Sequence, residues 1–250
     1  MTTTTQPRTQ AERADIARAR ILEAALQEFS AHGLAGARTD AIATAAGVNK
    51  ALLYYYFESK ENLYLAALEM AAGRVRDSSM AVFLRDASPG ERVLRSALNH
   101  FDRILTQREF QGLMQQEMMR LHKGETSALP ILVKRVFAPT HAMFESLIRE
   151  GVSSGELIEA DWLQIMLATI GTNVFYFMSA PVWRLVLPFD PLSPEAIAAR
   201  RKAAIEFLGQ ALFIDRARGR ELAARVLADT PEPDYKVDPK MFGGRDERTQ

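Results

Sequence analysis

Apolar positions recur with a helical period through most of this 250-residue chain. Leu22, Ala25, Leu26 and Phe29 stand at i, i+3, i+4 and i+7 and form one stripe, which predicts a helix over about 12–32 that Gly33 stops. Two short helices follow, over about 40–46 with Thr39 as N-cap and over about 49–57, and Gly47 breaks the chain between them. Ser59 caps a long helix that starts near Lys60 and runs past Arg76. Ser88-Pro89 opens another, carrying Val93, Leu94, Ala97, Leu98, Phe101, Ile104 and Leu105. Further helices are expected over about 109–122, 128–150, 161–180 and 194–213, with Pro139 kinking the second of these. Residues 151–155 read as a turn and 181–194 as a Pro-rich connection. No stretch reads as a strand and no fixed-period repeat occurs, so the fold class is all-α. Residues 1–11 are polar and Thr-rich and are expected to be disordered, as is most of 215–250, where the pattern weakens.

One stretch differs from the rest. Trp162 to Trp183 carries no charge and is long enough to span a bilayer. It contains Gln164, Thr169, Asn173, Ser179 and Pro181, has no second segment like it, and has no basic cluster close beside it. A helix buried on most sides, in a core or a subunit interface, explains it better. Charge adds little elsewhere: 31 basic residues balance 31 acidic ones, and residues 1–65 carry seven of each. Any contact with nucleic acid must therefore come from local placement rather than bulk charge. The absence of cysteine excludes disulfides, thiolate nucleophiles and Cys-ligated metal, and fits a reducing cytoplasm. The N-terminus has no apolar run of a secretory signal.

The most informative run is Thr39 to Glu61, TDAIATAAGVNKALLYYYFESKE. A helix-turn-helix needs a small residue where its helices cross, here Ala43, and a residue tolerant of positive φ in the turn, here Gly47. Ile42, Val48, Leu53 and Phe57 supply an apolar interior. On a wheel of about 100° per residue, Leu53 and Phe57 face the core together and Ala51 and Tyr55 lie opposite. Lys50 and Tyr54 occupy one flank, Leu52 and Tyr56 the other. Tyr54-Tyr55-Tyr56 spans about 200° of the wheel, so at least one tyrosine faces solvent or a partner. Pattern alone also admits two small core helices with exposed tyrosines.

From Arg20 to about Leu63, within the run ARARILEAALQEFSAHGLAGARTDAIATAAGVNKALLYYYFESKENLY (17–64), the sequence resembles the N-terminal domain of TetR-family regulators. The carriers are I-L-x-A-A-x-x-x-F, then T-x-x-I-A-x-x-A-G-V, then L-Y-x-Y-F-x-S-K-x-x-L. The resemblance implies an N-terminal three-helix helix-turn-helix domain (12–62), followed by a helical ligand-binding and dimerisation domain (63–214). It assigns base-facing roles to Lys50, Ala51, Tyr54 and Tyr55, and phosphate roles to Thr39, Tyr56 and Lys60. Asp40 stands near a position that is basic in some members, and an aspartate cannot hold a phosphate. Asn49 and Leu52 depart from the commoner Ser and Thr. The family also implies a homodimer through 161–180 and 194–213, a palindromic DNA operator, a small and mainly apolar effector, and repression. Phe101, Met114, Met118, His122, Phe144, Asn173 and Phe177 are the candidates to line an effector pocket. No cofactor or metal is expected.

Catalysis finds no support in the motifs. His32, His100, His122 and His141 lack metal-site spacing, and no nucleophile elbow, phosphate-binding Gly loop or dinucleotide fingerprint occurs. A DNA-binding architectural protein that senses no small molecule is the remaining alternative.

Overall fold

The computed structural model describes residues 9–235. Among them, helices follow in the order α1 (Gln10–Gly36), α2 (Thr39–Ala46), α3 (Lys50–Phe57), α4 (Lys60–Phe83), α5 (Pro89–Thr106), α6 (Arg108–His122), α7 (Leu129–Leu132), α8 (Ala138–Ser153), α9 (Trp162–Val186), α10 (Pro194–Ala211) and α11 (Arg216–Asp229). A π-helical turn, Val133–Phe137, joins α7 to α8. The fold is all-α, as the periodicity predicts.

Local chemistry accounts for most of the boundaries. Thr9 and Glu12 form a reciprocal capping box at the start of α1, so helix begins within the segment read as a disordered arm. Residues 1–8 lie outside the described residues. Gly33 leaves helical geometry at φ 67°, ψ 174°, and one more turn follows it. Ser88, Ser193 and Asp161 each accept a backbone N–H at the start of α5, α10 and α9. The disturbance expected at Pro139 takes the form of the π turn just before it. Proline has no N–H for the carbonyl four residues earlier and its ring crowds that carbonyl, and a widened turn relieves both. Pro181, read as the start of a connection, instead lies inside α9, which continues to Val186. Gly151 lies within α8, and only Ser154 and Gly155 form the turn.

The chain divides into two compact units. The first comprises the chain up to Arg74 with Glu109–Leu132, the second Val75–Arg108 with the chain from Val133 onward. The sequence reading put its boundary at 62/63 and assigned 109–132 to the second domain. Specific contacts hold α6 in the first unit instead. Glu117 is fully buried there, and its carboxylate accepts from the Tyr64 hydroxyl (2.7 Å), Arg120 (2.9 Å) and the Ser127 hydroxyl (2.8 Å). Burial pushes this carboxyl up, but those bonds, the Ala128 N–H and the Arg120 charge outweigh it and hold it below the usual range. Gln116 donates to the Ser30 carbonyl of α1 (3.3 Å).

In the second unit α5 is central. It packs against α8, α9, α10 and α11. One core joins Val93, Leu94, Ala97 and Leu98 to Phe144, Leu147, Ile148, Ile165, Ile205, Leu222 and Val226. Another joins Phe101, Ile104 and Leu105 to Phe177, Ala180, Leu192 and Ile197.

α11 occupies part of the segment expected to be disordered. Asp215 caps it by accepting from Ala217 and Arg218 N–H, and Leu222, Ala223 and Val226 are buried. Residues 236–250 of that segment lie outside the described residues. α10 and α11 meet backbone to backbone: a Cβ at Gly219 would lie 1.9 Å from the Gly209 carbonyl oxygen. Gly219→Ala is therefore expected to destabilise the protein by about 1–3 kcal/mol through overpacking. Chemical denaturation checks this, and a midpoint equal to that of the unsubstituted protein rules out the tight crossing.

Candidate functional site

α2 and α3 meet at Gly47, which sits at φ 64°, ψ 41°, a conformation that a Cβ strains. The Val48 N–H donates to the Ala43 carbonyl across the turn (3.0 Å). A Cβ on Gly47 would also lie 2.3 Å from Nη2 of Arg20, which reaches the turn from α1. Ile42, Ala43, Leu53 and Phe57 are buried, and Val48 is half-buried. The Arg18 guanidinium lies 5.4 Å from the centroid of the Phe57 ring. Asn49, a departure from the commoner serine, does the same capping work: its Oδ1 accepts from the Leu52 N–H (2.8 Å).

With Leu53 and Phe57 fixed inward, the opposite face of α3 turns outward. Tyr55 is 79% exposed, and Lys50, Ala51 and Tyr54 are exposed beside it. The remaining DNA candidates are engaged within the chain. Thr39 is buried, and its hydroxyl lies 3.4 Å from the Tyr54 hydroxyl. It does not cap α2 as expected; it is the first helical residue, and Arg38 holds the cap position without a side-chain bond. The Tyr56 hydroxyl donates to the Ala14 carbonyl of α1 (3.4 Å). The Lys60 ammonium donates to the Ala35 carbonyl (3.1 Å), which leaves two of its three N–H groups for another acceptor.

Asp40 also acquires a partner that periodicity could not reveal. Lys50 Nζ lies 3.0 Å from its Oδ1, with both side chains largely exposed. An exposed pair of this kind is worth only about 0–1 kcal/mol. It neutralises the one lysine on the outward face of α3 at little energetic resistance to exchange.

The effector candidates fall in separate groups. Phe101 and Phe177 do meet, with ring centroids 5.3 Å apart. Asn173 is buried one turn from Phe177, and its amide lies 3.4 Å from His100 Nδ1. Phe144 belongs to the other core of that unit, 6.3 Å from Phe83. Met114, Met118 and His122 lie on α6, in the first unit, where Met118 is 50% exposed and His122 is exposed. The expected set is thus divided between two units and, within the second, between two cores. Spacing could mark these residues as apolar or polar, but not which helix each would face.

Residues 21–67 match the family model described as bacterial regulatory proteins, tetR family. Residues 89–208 match the model described as tetracyclin repressor-like, C-terminal domain. The chain belongs to the TetR family of transcriptional regulators. The family is not one of enzymes. Among curated relatives, this TetR-family chain is 32% identical over 114 residues to the HTH-type transcriptional repressor NicS of Pseudomonas putida, covering 46% of the chain and 53% of NicS. It therefore spans about half the length of that relative. Among solved structures, a regulator from Saccharomonospora viridis in complex with choline is similar at TM-score 0.64 and 19% identity, covering 82% of this chain and 99% of that one. FadR from Bacillus subtilis in complex with stearoyl-CoA is similar at TM-score 0.59 and 18% identity, over 76% and 96%. These two likenesses show a shared fold. The second family match ends within α10, so α11 is an addition to the matched region.

The α2–α3 turn yields its own test. Gly47→Ala is expected to destabilise the first unit by about 1–2 kcal/mol, from the left-handed backbone together with displacement of Arg20. Hydrogen exchange should show faster opening of α2 and α3, and unchanged protection there would contradict the strained-turn account.

Proposed function

We propose that this chain is a DNA-binding transcriptional regulator, a repressor that binds a palindromic operator as a homodimer. A small, mainly apolar effector held by the C-terminal region then releases it. The observation carrying this reading is the orientation of α3, with Leu53 and Phe57 buried and Lys50, Ala51, Tyr54 and Tyr55 outward. Such a face suits the major groove. Tyrosine offers a hydroxyl to phosphate or base edges and a ring to thymine methyls, and lysine offers a charge-assisted donor to guanine. Thr39, Tyr56 and Lys60 take phosphates by exchanging their internal partners. Residues 12–62 act as the DNA-binding domain and the second unit does the sensing and dimerising, in the cytoplasm. The description of NicS as a repressor favours repression. Choline and stearoyl-CoA in the related structures favour a small-molecule effector.

The dimer reading rests on α9 and α10. α9 is long and apolar enough to cross a membrane, yet only 28% of its apolar window is buried within the chain. The expectation of a helix buried on most sides thus fails for the single chain. Ile165, Asn173, Phe177 and Ala180 face inward, while Leu167, Gly171, Phe175, Met178 and Val182 form an exposed stripe. Phe207 on α10 is 68% exposed. A stripe paired with its own copy about a two-fold axis buries this surface, which water would otherwise contact.

Selection from a random DNA pool with the full-length protein should enrich a palindrome, and enrichment of nothing sinks the DNA-binding reading. Tyr55→Ala and Lys50→Ala should each weaken operator binding about tenfold or more. Asp40→Asn should do the reverse, tightening binding on all sequences and steepening its salt dependence, because Lys50 loses its competitor for phosphate or base. Operator affinities unchanged in all three variants remove the proposed recognition face. Phe175→Asp should give a folded monomer by sedimentation, and a folded dimer overturns the assignment of this stripe.

A further inference from the structure

The two buried arginines of α5 and α10 are matched by carboxylates. Arg95 pairs with Glu91 (2.8 Å) and Asp229 (3.1 Å). Arg201 pairs with both oxygens of Asp102 (2.7 and 2.9 Å). Arg103, on the same helix as Arg95, has no carboxylate partner among the described residues. Its Nη1 donates to the Ser79 hydroxyl (2.8 Å), the Ser78 hydroxyl (3.2 Å) and the Val75 carbonyl (3.5 Å). Nε and Nη2 make no hydrogen bond among the described residues. Neutral oxygens satisfy N–H groups but do not balance a charge. Burial lowers the Arg103 pKa to about 10, which still leaves it cationic at neutral pH.

His100 lies one turn before Arg103. Burial, and then the Arg103 charge, push its pKa down to about 3, so the ring is neutral. Its Nδ1 faces the Asn173 amide at 3.4 Å. An Nδ1 that accepts from the amide N–H puts the ring proton on Nε2. That N–H is a donor without a partner among the described residues. Gln107, one turn beyond Arg103, has a buried carbonyl oxygen without a partner among the described residues. His100 and Arg103 share one face of α5 at i and i+3, and Gln107 follows as the residue that ends the helix. The Asn173 side of the cluster adjoins the Phe101–Phe177 aromatic pair.

We propose that Arg103 anchors a carboxylate on the effector, with the His100 Nε2–H, oriented by Asn173, donating to the same head group. This rests on the effector reading above and adds to it a charge: the effector is a monoanionic acid with an apolar body. One guanidinium beside a neutral imidazole supplies a single positive charge and two planar donor directions, which match a carboxylate. A quaternary ammonium would instead meet an uncompensated cation. Asn173 is a positioning residue, acting through His100.

The test uses the full-length protein and titration calorimetry. The probes are straight-chain carboxylates from butanoate to dodecanoate and benzoate, each set against the alcohol and the trimethylammonium salt of the same skeleton. At least one carboxylate should bind about tenfold or more tightly than its alcohol. Arg103→Gln should abolish that preference, and His100→Phe should reduce it. Arg103 also holds α4, so the quantity read is the acid-to-alcohol ratio within each folded variant. Arg103→Lys, which keeps the charge, should retain part of the ratio. An acid that binds no better than its alcohol, or a preference that survives Arg103→Gln, overturns the anchor. Binding by alcohols alone overturns the anchor and leaves the apolar-effector reading standing. Binding by none of the three series overturns both.

Discussion

Helix α5 is packed by other helices around its circumference, and its polar residues must therefore find partners on those helices. Glu91 and Arg95 bind one another and reach Asp229 and Arg225 of α11. Asp102 takes Arg201 of α10, His100 takes Asn173 of α9, and Arg103 takes Ser78 and Ser79 of α4. At the N-terminus of α5, Glu156 accepts from the Gly90 N–H (2.8 Å) and the Ser88 hydroxyl (2.7 Å). The apolar face supplies the drive to associate. The polar contacts fix which helix goes where, because a buried group left unpaired costs more than a paired one gains. Arg103 has no carboxylate among the described residues, and only its Nη1 is hydrogen-bonded there.

The first unit follows a similar rule on a smaller scale. A short helix of eight residues, α3, is stable only because Leu53 and Phe57 are buried against neighbours. The same burial leaves Tyr55 nowhere to go but outward. Rigid presentation of the outer face is thus a by-product of packing the inner one. The Lys50–Asp40 pair keeps that face locally neutral, in line with the balanced charge of the N-terminal region.

Much of this was legible in the sequence. Ser88-Pro89, Ser193-Pro194 and Gly47 mark boundaries through backbone chemistry that acts within a few residues. The outward placement of Tyr55 followed from a wheel, since eight residues cannot turn every tyrosine inward. Other features were not legible. α11, RARGRELAARVLAD, carries few apolar residues, and its burial depends on Gly209 and Gly219 letting two backbones touch. Most of the effector candidates are aromatic or Met residues, a property shared by core and pocket alike. The residues whose pairing is incomplete, His100 and Arg103, are polar and stood out in no pattern.

The sequence by itself determined the all-helical class, the helix starts and stops, the two-sided character of α3 and the resemblance to a family. Each of these depends on periodicity or on interactions between near neighbours in the chain. Tertiary structure alone decided that α6 joins the first unit through Glu117, that Asp40 meets Lys50, and that α9 keeps an exposed apolar stripe. It also decided that Arg103 is half-buried with no carboxylate partner among the described residues. Those outcomes turn on which partners distant segments bring together, and a one-dimensional pattern records a residue's polarity without recording who compensates its charge.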